Sequence, residues 1–258
     1  MERIWYREKT SDILEVLGSS EGGLSQEEAS RRLREYGPNK LPEAKVESAF
    51  TIFLRQFQSP LIYILFGASL LVFAMGEIVD GSIILFVLFF NAVVGSIQEG
   101  KAQNTLLALK KFAETRATVL REGREFIISD AEVVPGDILI LQEGERIAAD
   151  ARVIISNNLR LDESALTGES VPVYKLPDAL SAEGLPTAEQ KNMVFKGTNV
   201  VAGNGKVIVV EVGLKTVIGK ISKEIAAIDT EIPLKANVRY LSRLILLAVA
   251  TISALLFI

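Results

Sequence analysis

The sequence of 258 residues contains no cysteine and no histidine. For this chain, their absence excludes disulfide bonds, thiolate nucleophiles, imidazole bases and the usual zinc ligands. Any chemistry must use carboxylates, hydroxyls, lysine, arginine or backbone groups. Basic residues are not in excess either, because the net charge of the chain is −4 and its isoelectric point is about 5.2. A nucleic acid is therefore not expected as a partner, since no basic field attracts its phosphates.

A secretory signal is missing as well. The polar stretch 1–42 has no short apolar core behind a basic start, so we expect the N-terminus to stay in the cytosol. Hydrophobic residues make up 49% of the chain, charged residues 23%, and the mean hydropathy is +0.31. The chain is too apolar for an ordinary soluble domain and too charged for a pure membrane bundle. We therefore predict a mixed membrane protein in which one soluble domain is split by a membrane insertion.

Two uncharged apolar runs predict a transmembrane hairpin over residues 51–111. The runs, 61–75 and 81–97, are each near the lower limit of roughly 17–25 residues for a membrane helix, and the spans are placed at about 58–75 and 81–101. Residues 52–57 can lengthen the first span through the interface. The acids nearest the membrane, which we expect to be solvated helix ends, are Glu77, Asp80 and Glu99.

The charges around the hairpin predict its orientation. Its link carries only acids, whereas basic residues lie on the outer flanks at Arg55, Lys101, Lys110 and Lys111. The positive-inside rule places both outer flanks in the cytosol. A third apolar run begins near Leu241, so residues 233–258 are predicted to be a linker and the start of a third, truncated span. A soluble protein with a buried apolar hairpin is the alternative.

Residues 112–232 are predicted to form a β-rich domain. Short apolar runs alternate with Gly, Pro, Asn and Asp, and they lie at 117–120, 126–128, 138–141, 152–155, 193–195 and 206–212. The turn 121–124 between the first two predicts a β-hairpin. The spacing fits a compact antiparallel β domain, either a sandwich or a jelly-roll-like fold. Helical periodicity follows at 216–228.

The N-terminal segment 1–50 is predicted to be helical and to pack against another domain. Ser25 followed by Glu28 is a capping-box pattern, and the helix that it opens ends at Gly37.

One segment, 161–170, has the residues for catalysis. Gly168 permits a tight turn that presents the Glu169 carboxylate outward, between the hydroxyls of Thr167 and Ser170. Such a carboxylate can orient water and accept its proton, as hydrolysis of an acyl phosphate requires. Local physics alone leaves a polar surface turn as the other interpretation.

Two segments look like pieces of a phosphate-binding loop, at 203–206 and 213–216. Neither has the glycine spacing that lets backbone N–H groups surround a phosphate, so we interpret both as turns.

The decapeptide 161–170 resembles the actuator-domain signature of P-type ATPases, whose core is Thr-Gly-Glu-Ser. Four further segments resemble that family in the same order, at 134–138, 149–152, 195–199 and 216–221. The run 23–41 looks like the entry segment of the type II subgroup, which includes calcium, sodium/potassium and proton/potassium pumps. Residues 91–99 are similar to the second membrane helix of calcium pumps.

The resemblance implies transmembrane α-helices together with a cytosolic antiparallel β, jelly-roll-like actuator domain that carries short helices. Residues 1–50 and 112–232 would form this actuator domain. Glu169 would position the water that hydrolyses the aspartyl phosphate, while Thr167, Gly168 and Ser170 shape its loop.

The family's phosphorylated Asp-Lys-Thr-Gly stretch and its nucleotide-binding domain are not in this sequence. ATP and Mg²⁺ are therefore expected outside this chain, which is not expected to hydrolyse ATP alone. The implied partners are the lipid bilayer, the transported cation, and the phosphorylation and nucleotide-binding domains of the same pump. Calcium is the expected ion, with sodium, potassium or protons as alternatives. The rival from another class is a truncated, non-catalytic membrane-anchored module that regulates a complete pump.

Overall fold

The computed structural model describes residues 3–41, 47–112, 115–227 and 251. The chain divides into two compact units. One contains Met1–Glu43 and Glu114–Ile228, and the other contains Ala44–Ala113 and Asp229–Ile258. The predicted third span, which begins near Leu241, lies outside the described residues apart from Thr251.

Two short helices precede the sheet of the first unit, α1 at Thr10–Val16 and α2 at Gln26–Tyr36. The predicted cap of α2 is confirmed, because the Ser25 hydroxyl accepts a hydrogen bond from the Glu28 backbone N–H at 3.2 Å. The helix ends where predicted, at Gly37 with φ 76°. The Glu28 side chain does not return to Ser25 but binds Arg31 and Arg32, which lowers its pKa to about 2.

Between residues 47 and 112, the second unit forms three helices, α3 at Ala49–Gln56, α4 at Pro60–Ala74 and α5 at Ile78–Phe112. The residues expected to lengthen the first span do not continue it as a single helix, because α3 ends at Gln56 and α4 starts with Pro60 in its first turn. By length and composition, one described helical stretch can cross a membrane, Ile78–Leu107, and α4 contains the shorter apolar helix Ile62–Ala74.

The three acids near the predicted membrane are not alike. Glu77 lies in the link and Asp80 in the first turn of α5, and both are exposed. Glu99 is not a helix end, contrary to the prediction, since it lies within α5 and forms an ion pair with Arg55 of α3. Its other carboxylate oxygen accepts a hydrogen bond from Gln56 Nε2 at 2.9 Å.

Seven strands of the first unit form one antiparallel sheet. They are β1 Arg116–Arg121, β2 Arg124–Ser129, β3 Ile138–Leu141, β4 Asp150–Asp162, β5 Val173–Tyr174, β6 Met193–Val194 and β7 Asn199–Glu211. The order across the sheet is β2-β1-β3-β7-β4-β5, and β6 pairs with β4. The antiparallel character is thus confirmed, with all described strands hydrogen-bonded into a single sheet. The chain continues into α6 at Ser164–Thr167, before β5, and α7 at Val217–Ala227.

Strands β4 and β7 are longer than predicted, because the residues interpreted as turns lie inside them. Asn157 faces Asn204 across the two strands, with Nδ2 donating to Oδ1 at 2.8 Å, and the register shifts on either side. Gly203 has φ 76°, and a Cβ there would lie 2.3 Å from the Asn158 carbonyl oxygen. Asn and Gly therefore mark a β-bulge here rather than a chain reversal.

The sheet buries apolar side chains on both faces. Along β7, Val207 and Val209 belong to one core cluster, whereas Ile208 and Val210 belong to another. This alternation is the period of two expected of a strand. The second cluster also contains Tyr6 from the N-terminal segment, which therefore packs as part of the same domain as the sheet.

Candidate functional site

The segment singled out by sequence connects two paired strands. β4 ends at Asp162, the short helix α6 follows, and the chain returns as β5. Arg160 pairs with Tyr174 and Leu161 with Val173 in antiparallel register. The loop 163–172 is therefore held at its base by the sheet.

The first half of this loop is shaped by local hydrogen bonds. Asp162 Oδ1 accepts from the Ser164 N–H at 3.0 Å, and hydrogen bonds from the side chain and backbone of Ser164 keep the pKa of Asp162 below its ordinary value. The Glu163 carbonyl accepts from the Leu166 and Thr167 N–H groups at 2.9 and 3.0 Å. The Thr167 hydroxyl also donates to that carbonyl, at 3.1 Å. Thr167 therefore holds the single turn of α6 closed.

Gly168 turns the chain outward. Its backbone is left-handed, with φ 78° and ψ −3°, which glycine adopts without the strain of a Cβ. The Glu169 N–H then donates to Thr167 Oγ1 at 3.2 Å, so the hydroxyl holds both sides of the turn. Glu169 and Ser170 are exposed, and Val171 is 75% exposed. The four residues lie together, with Thr167 bound to the backbone and the Glu169 side chain at the surface.

A buried ion pair beneath this loop was missed by the sequence reasoning. Lys175 Nζ lies 2.6 Å from Glu163 Oε1, and the two side chains are 0% and 1% exposed. Burial lowers the pKa of Lys175 and raises that of Glu163, and the opposite charge counters each shift. The two residues are separated by the whole loop, so no sequence period connects them. Glu163 lies inside the segment 161–170, but nothing in the sequence indicated that Lys175, five residues beyond that segment, would pair with it.

Asn39, which lies in the run 23–41, binds residues of the β domain outside the loop. Asn39 Nδ2 donates to the carbonyls of Asp130 and Ala148 at 2.9 and 2.8 Å. Its Oδ1 accepts from Lys196 Nζ at 2.8 Å and from the Gly213 N–H at 2.9 Å. Asn39 is 1% exposed. These residues hold the N-terminal segment against the β domain and therefore have a structural role.

Asp150 joins three of the motif segments, its own 149–152 with 195–199 and 216–221. Oδ1 accepts from the Lys196 N–H at 2.8 Å, and Oδ2 accepts from the Val217 N–H at 2.7 Å, the first residue of α7. Burial is the main cause that raises the pKa of this carboxyl from 3.8 to about 6, and the two N–H bonds oppose the shift. Between pH 3.8 and about 6, the Asp150 carboxyl therefore holds its proton in the folded domain but has lost it in the unfolded chain.

This shift predicts a pH-dependent contribution to stability. Between pH 4 and 6 the folded state holds the extra proton, so Asp150 should stabilise the fold less as the pH rises. The unfolding free energy of the parent minus that of Asp150→Asn should fall by about 3 kcal/mol from below pH 4 to above pH 6. Denaturant unfolding in detergent can be followed by the fluorescence of Trp5, the one tryptophan of the chain. A difference that stays constant over this range would contradict the prediction.

Within the residues that the structure describes, no group of three or more Asp or Glu side chains could hold a metal ion.

Known proteins are similar to nearly the whole chain. Residues 111–226 match the P-type ATPase actuator domain, and residues 5–72 match the family described as cation transporter/ATPase, N-terminus. The probable cation-transporting ATPase F of Mycobacterium tuberculosis is 41% identical over 236 residues, which is 91% of this chain and 26% of that protein. A calcium-transporting ATPase of Bacillus subtilis is 36% identical over 95% of this chain and 28% of that protein. A calcium-transporting ATPase of Listeria monocytogenes is 33% identical over 98% of this chain and 29% of its own length. The chain thus spans about a quarter of the length of the curated relatives it matches.

Proposed function

We infer that this chain, which belongs to the P-type cation-transporting ATPase family, supplies the actuator domain and the first membrane helices of an ATP-driven cation pump. The matches to the actuator domain and to the cation-transporter N-terminus support this role. The observation that carries the catalytic part is the exposed Glu169 side chain, which follows a left-handed glycine in a loop that the sheet holds at its base.

In the proposed reaction, Glu169 acts on a phosphorylated aspartate that lies outside this chain. The Glu169 carboxylate orients a water molecule and accepts its proton as the water oxygen bonds to phosphorus. The bond from phosphorus to the aspartate oxygen breaks, which releases inorganic phosphate and restores the aspartate carboxylate. Thr167 and Gly168 fix the turn from which Glu169 projects, and Ser170 shapes its outer side.

The whole pump also depends on domains outside this chain. ATP with Mg²⁺ supplies the phosphoryl group, and the domains that bind them are partners of this chain. Movement of the actuator domain pulls on the membrane helices and couples dephosphorylation to ion release. Calcium is the proposed ion, because two of the relatives reported above are named calcium-transporting ATPases. Sodium, potassium or protons are the alternative cargo.

Phosphoenzyme formation tests this function. Membranes that contain the complete protein should incorporate label from ATP with Mg²⁺ when Ca²⁺ is added, and the label should resist acid but be lost with hydroxylamine. If labelling depends on sodium, potassium or pH instead of Ca²⁺, then the transported ion is one of these alternatives and not calcium. No labelling under any ionic condition would overturn the pump and favour the regulatory module.

The proposed topology places the link between α4 and α5 outside the cytosol. The native chain has no cysteine, so Glu77→Cys introduces one thiol into it, at an exposed position. An impermeant maleimide added to intact cells should label this variant. The matched variant Glu143→Cys, exposed in the β domain, should be labelled only after permeabilisation. The reverse pattern would contradict the orientation.

A further inference from the structure

The buried ion pair beneath the loop connects the two ends of the segment that carries Glu169. Glu163 is the residue before α6, and Lys175 is the residue after β5. The Lys175 N–H also donates to the Leu159 carbonyl at 2.9 Å, which fixes the lysine backbone to β4. The pair therefore joins the entry of the loop to a rigid part of the sheet.

Each charge of the pair depends on the other. Within the described ranges, no conventional hydrogen-bond donor reaches either carboxylate oxygen of Glu163. The negative charge of this carboxylate is balanced by the Lys175 ammonium, 2.6 Å away. That ammonium also lies 5.7 Å from the centre of the Phe195 ring, within reach of a cation–π interaction. A displacement of either side chain leaves a buried charge without its counter-ion.

Such a pair contributes more to geometry than to stability. The cost of removing two charges from water cancels much of their attraction, so apolar residues of the same volume would stabilise the domain at least as well. Apolar contacts are non-directional and tolerate small displacements, whereas the attraction between two buried charges falls as the distance between them grows.

Hydrogen bonds through Thr167 connect Glu163 to Glu169. The Glu163 carbonyl accepts from the Thr167 N–H and hydroxyl at 3.0 and 3.1 Å. Thr167 Oγ1 in turn accepts from the Glu169 N–H at 3.2 Å. One residue, Thr167, thus links the backbone of Glu163 to that of Glu169 by two hydrogen-bonded steps.

We propose that the Glu163–Lys175 ion pair positions Glu169 for hydrolysis of the phosphoenzyme, an inference that rests on the function proposed above for Glu169. Both members are positioning residues, since they are buried under the loop and act through Thr167. Loss of the pair displaces the attacking water and leaves the transfer of phosphoryl from ATP unchanged.

The test compares formation and decay of phosphoenzyme in the complete pump. In Glu163→Gln and Lys175→Met, labelled phosphoenzyme should form at a rate within about twofold of the parent. After a chase with unlabelled ATP, it should decay about 10- to 100-fold more slowly, the usual cost of a small misplacement in a catalytic site. Glu163→Asp keeps both charges but shortens the reach of the carboxylate, so it should fold and slow decay by about 5-fold.

A second buried pair provides the matched control. Arg121 and Asp137 form an ion pair with side chains 5% and 0% exposed, and neither borders the loop. The double variant Arg121→Leu/Asp137→Leu should reduce the yield of folded pump but leave the decay rate of each phosphoenzyme molecule within about twofold of the parent. Decay at the parent rate in Glu163→Asp and in every folded variant of the Glu163–Lys175 pair would overturn the proposal, as would equal slowing in the control.

Glu169→Gln, measured in parallel, separates this inference from the proposed function. If Glu169→Gln slows decay and the ion-pair variants do not, the inference fails and the function stands. If Glu169→Gln decays at the parent rate, the catalytic role of Glu169 fails and the positioning role of the pair fails with it.

Discussion

Replacing Arg121 with leucine should lower the free energy of unfolding of the actuator domain by about 3–5 kcal/mol. Arg121 Nε and Nη2 donate to the two carboxylate oxygens of Asp137 at 2.9 and 2.8 Å. The substitution leaves the Asp137 carboxylate, which is 0% exposed, without its counter-ion. Denaturant unfolding followed by Trp5 fluorescence measures the loss.

The double variant Arg121→Leu/Asp137→Leu completes the cycle. Removing both charges should cost only about 1–3 kcal/mol, because it leaves no buried ion. Part of the remaining cost comes from the Val134 N–H, which donates to Asp137 Oδ2 at 3.0 Å and loses this acceptor. If the double variant loses as much stability as the sum of the two single variants, then the two residues act independently and the prediction is wrong.

Local sequence signals predicted the elements that depend on neighbouring residues. The β1–β2 hairpin was predicted from its turn, where Glu122 and Gly123 have φ 50° and 71°, typical of a two-residue hairpin loop. The start of α2 was predicted from Ser25, whose hydroxyl binds a backbone group three residues away. The tight turn at Gly168 was also predicted locally, because glycine adopts the left-handed conformation more readily than any other residue.

Features that depend on distant residues were not predicted. Gly203 was interpreted as part of a turn, and only the opposing strand makes it part of a bulge. The Glu163–Lys175 pair follows from the meeting of β4 and β5, and the role of Asn39 from contacts more than a hundred residues away. Propensity and spacing carry no information about such contacts, so the sequence could predict the turn that presents Glu169 but not the contacts that hold it.

Replacing Glu169 with alanine in the complete pump should leave phosphorylation by ATP nearly unchanged and slow hydrolysis of the phosphoenzyme by roughly 100- to 10,000-fold, the usual contribution of a positioned general base. Phosphoenzyme should accumulate, and overall turnover should fall by the same factor once its hydrolysis limits the cycle. The effect is confined to one step because the carboxylate acts on the water and not on ATP.

The competing interpretation, an exposed turn carboxylate without a catalytic role, makes a different prediction for the same variant. Since Glu169 is exposed, its loss should change stability by only about 0.5 kcal/mol under either interpretation, so folding does not confound the kinetics. Glu143→Ala removes another exposed carboxylate of the same domain and should decay at the parent rate. The measurement is a chase of labelled phosphoenzyme in parent, Glu169→Ala and Glu143→Ala under identical ionic conditions, with thermal melting as the check of folding. If all three phosphoenzymes decay equally in equally folded proteins, Glu169 is a turn residue and the base must come from another part of the pump.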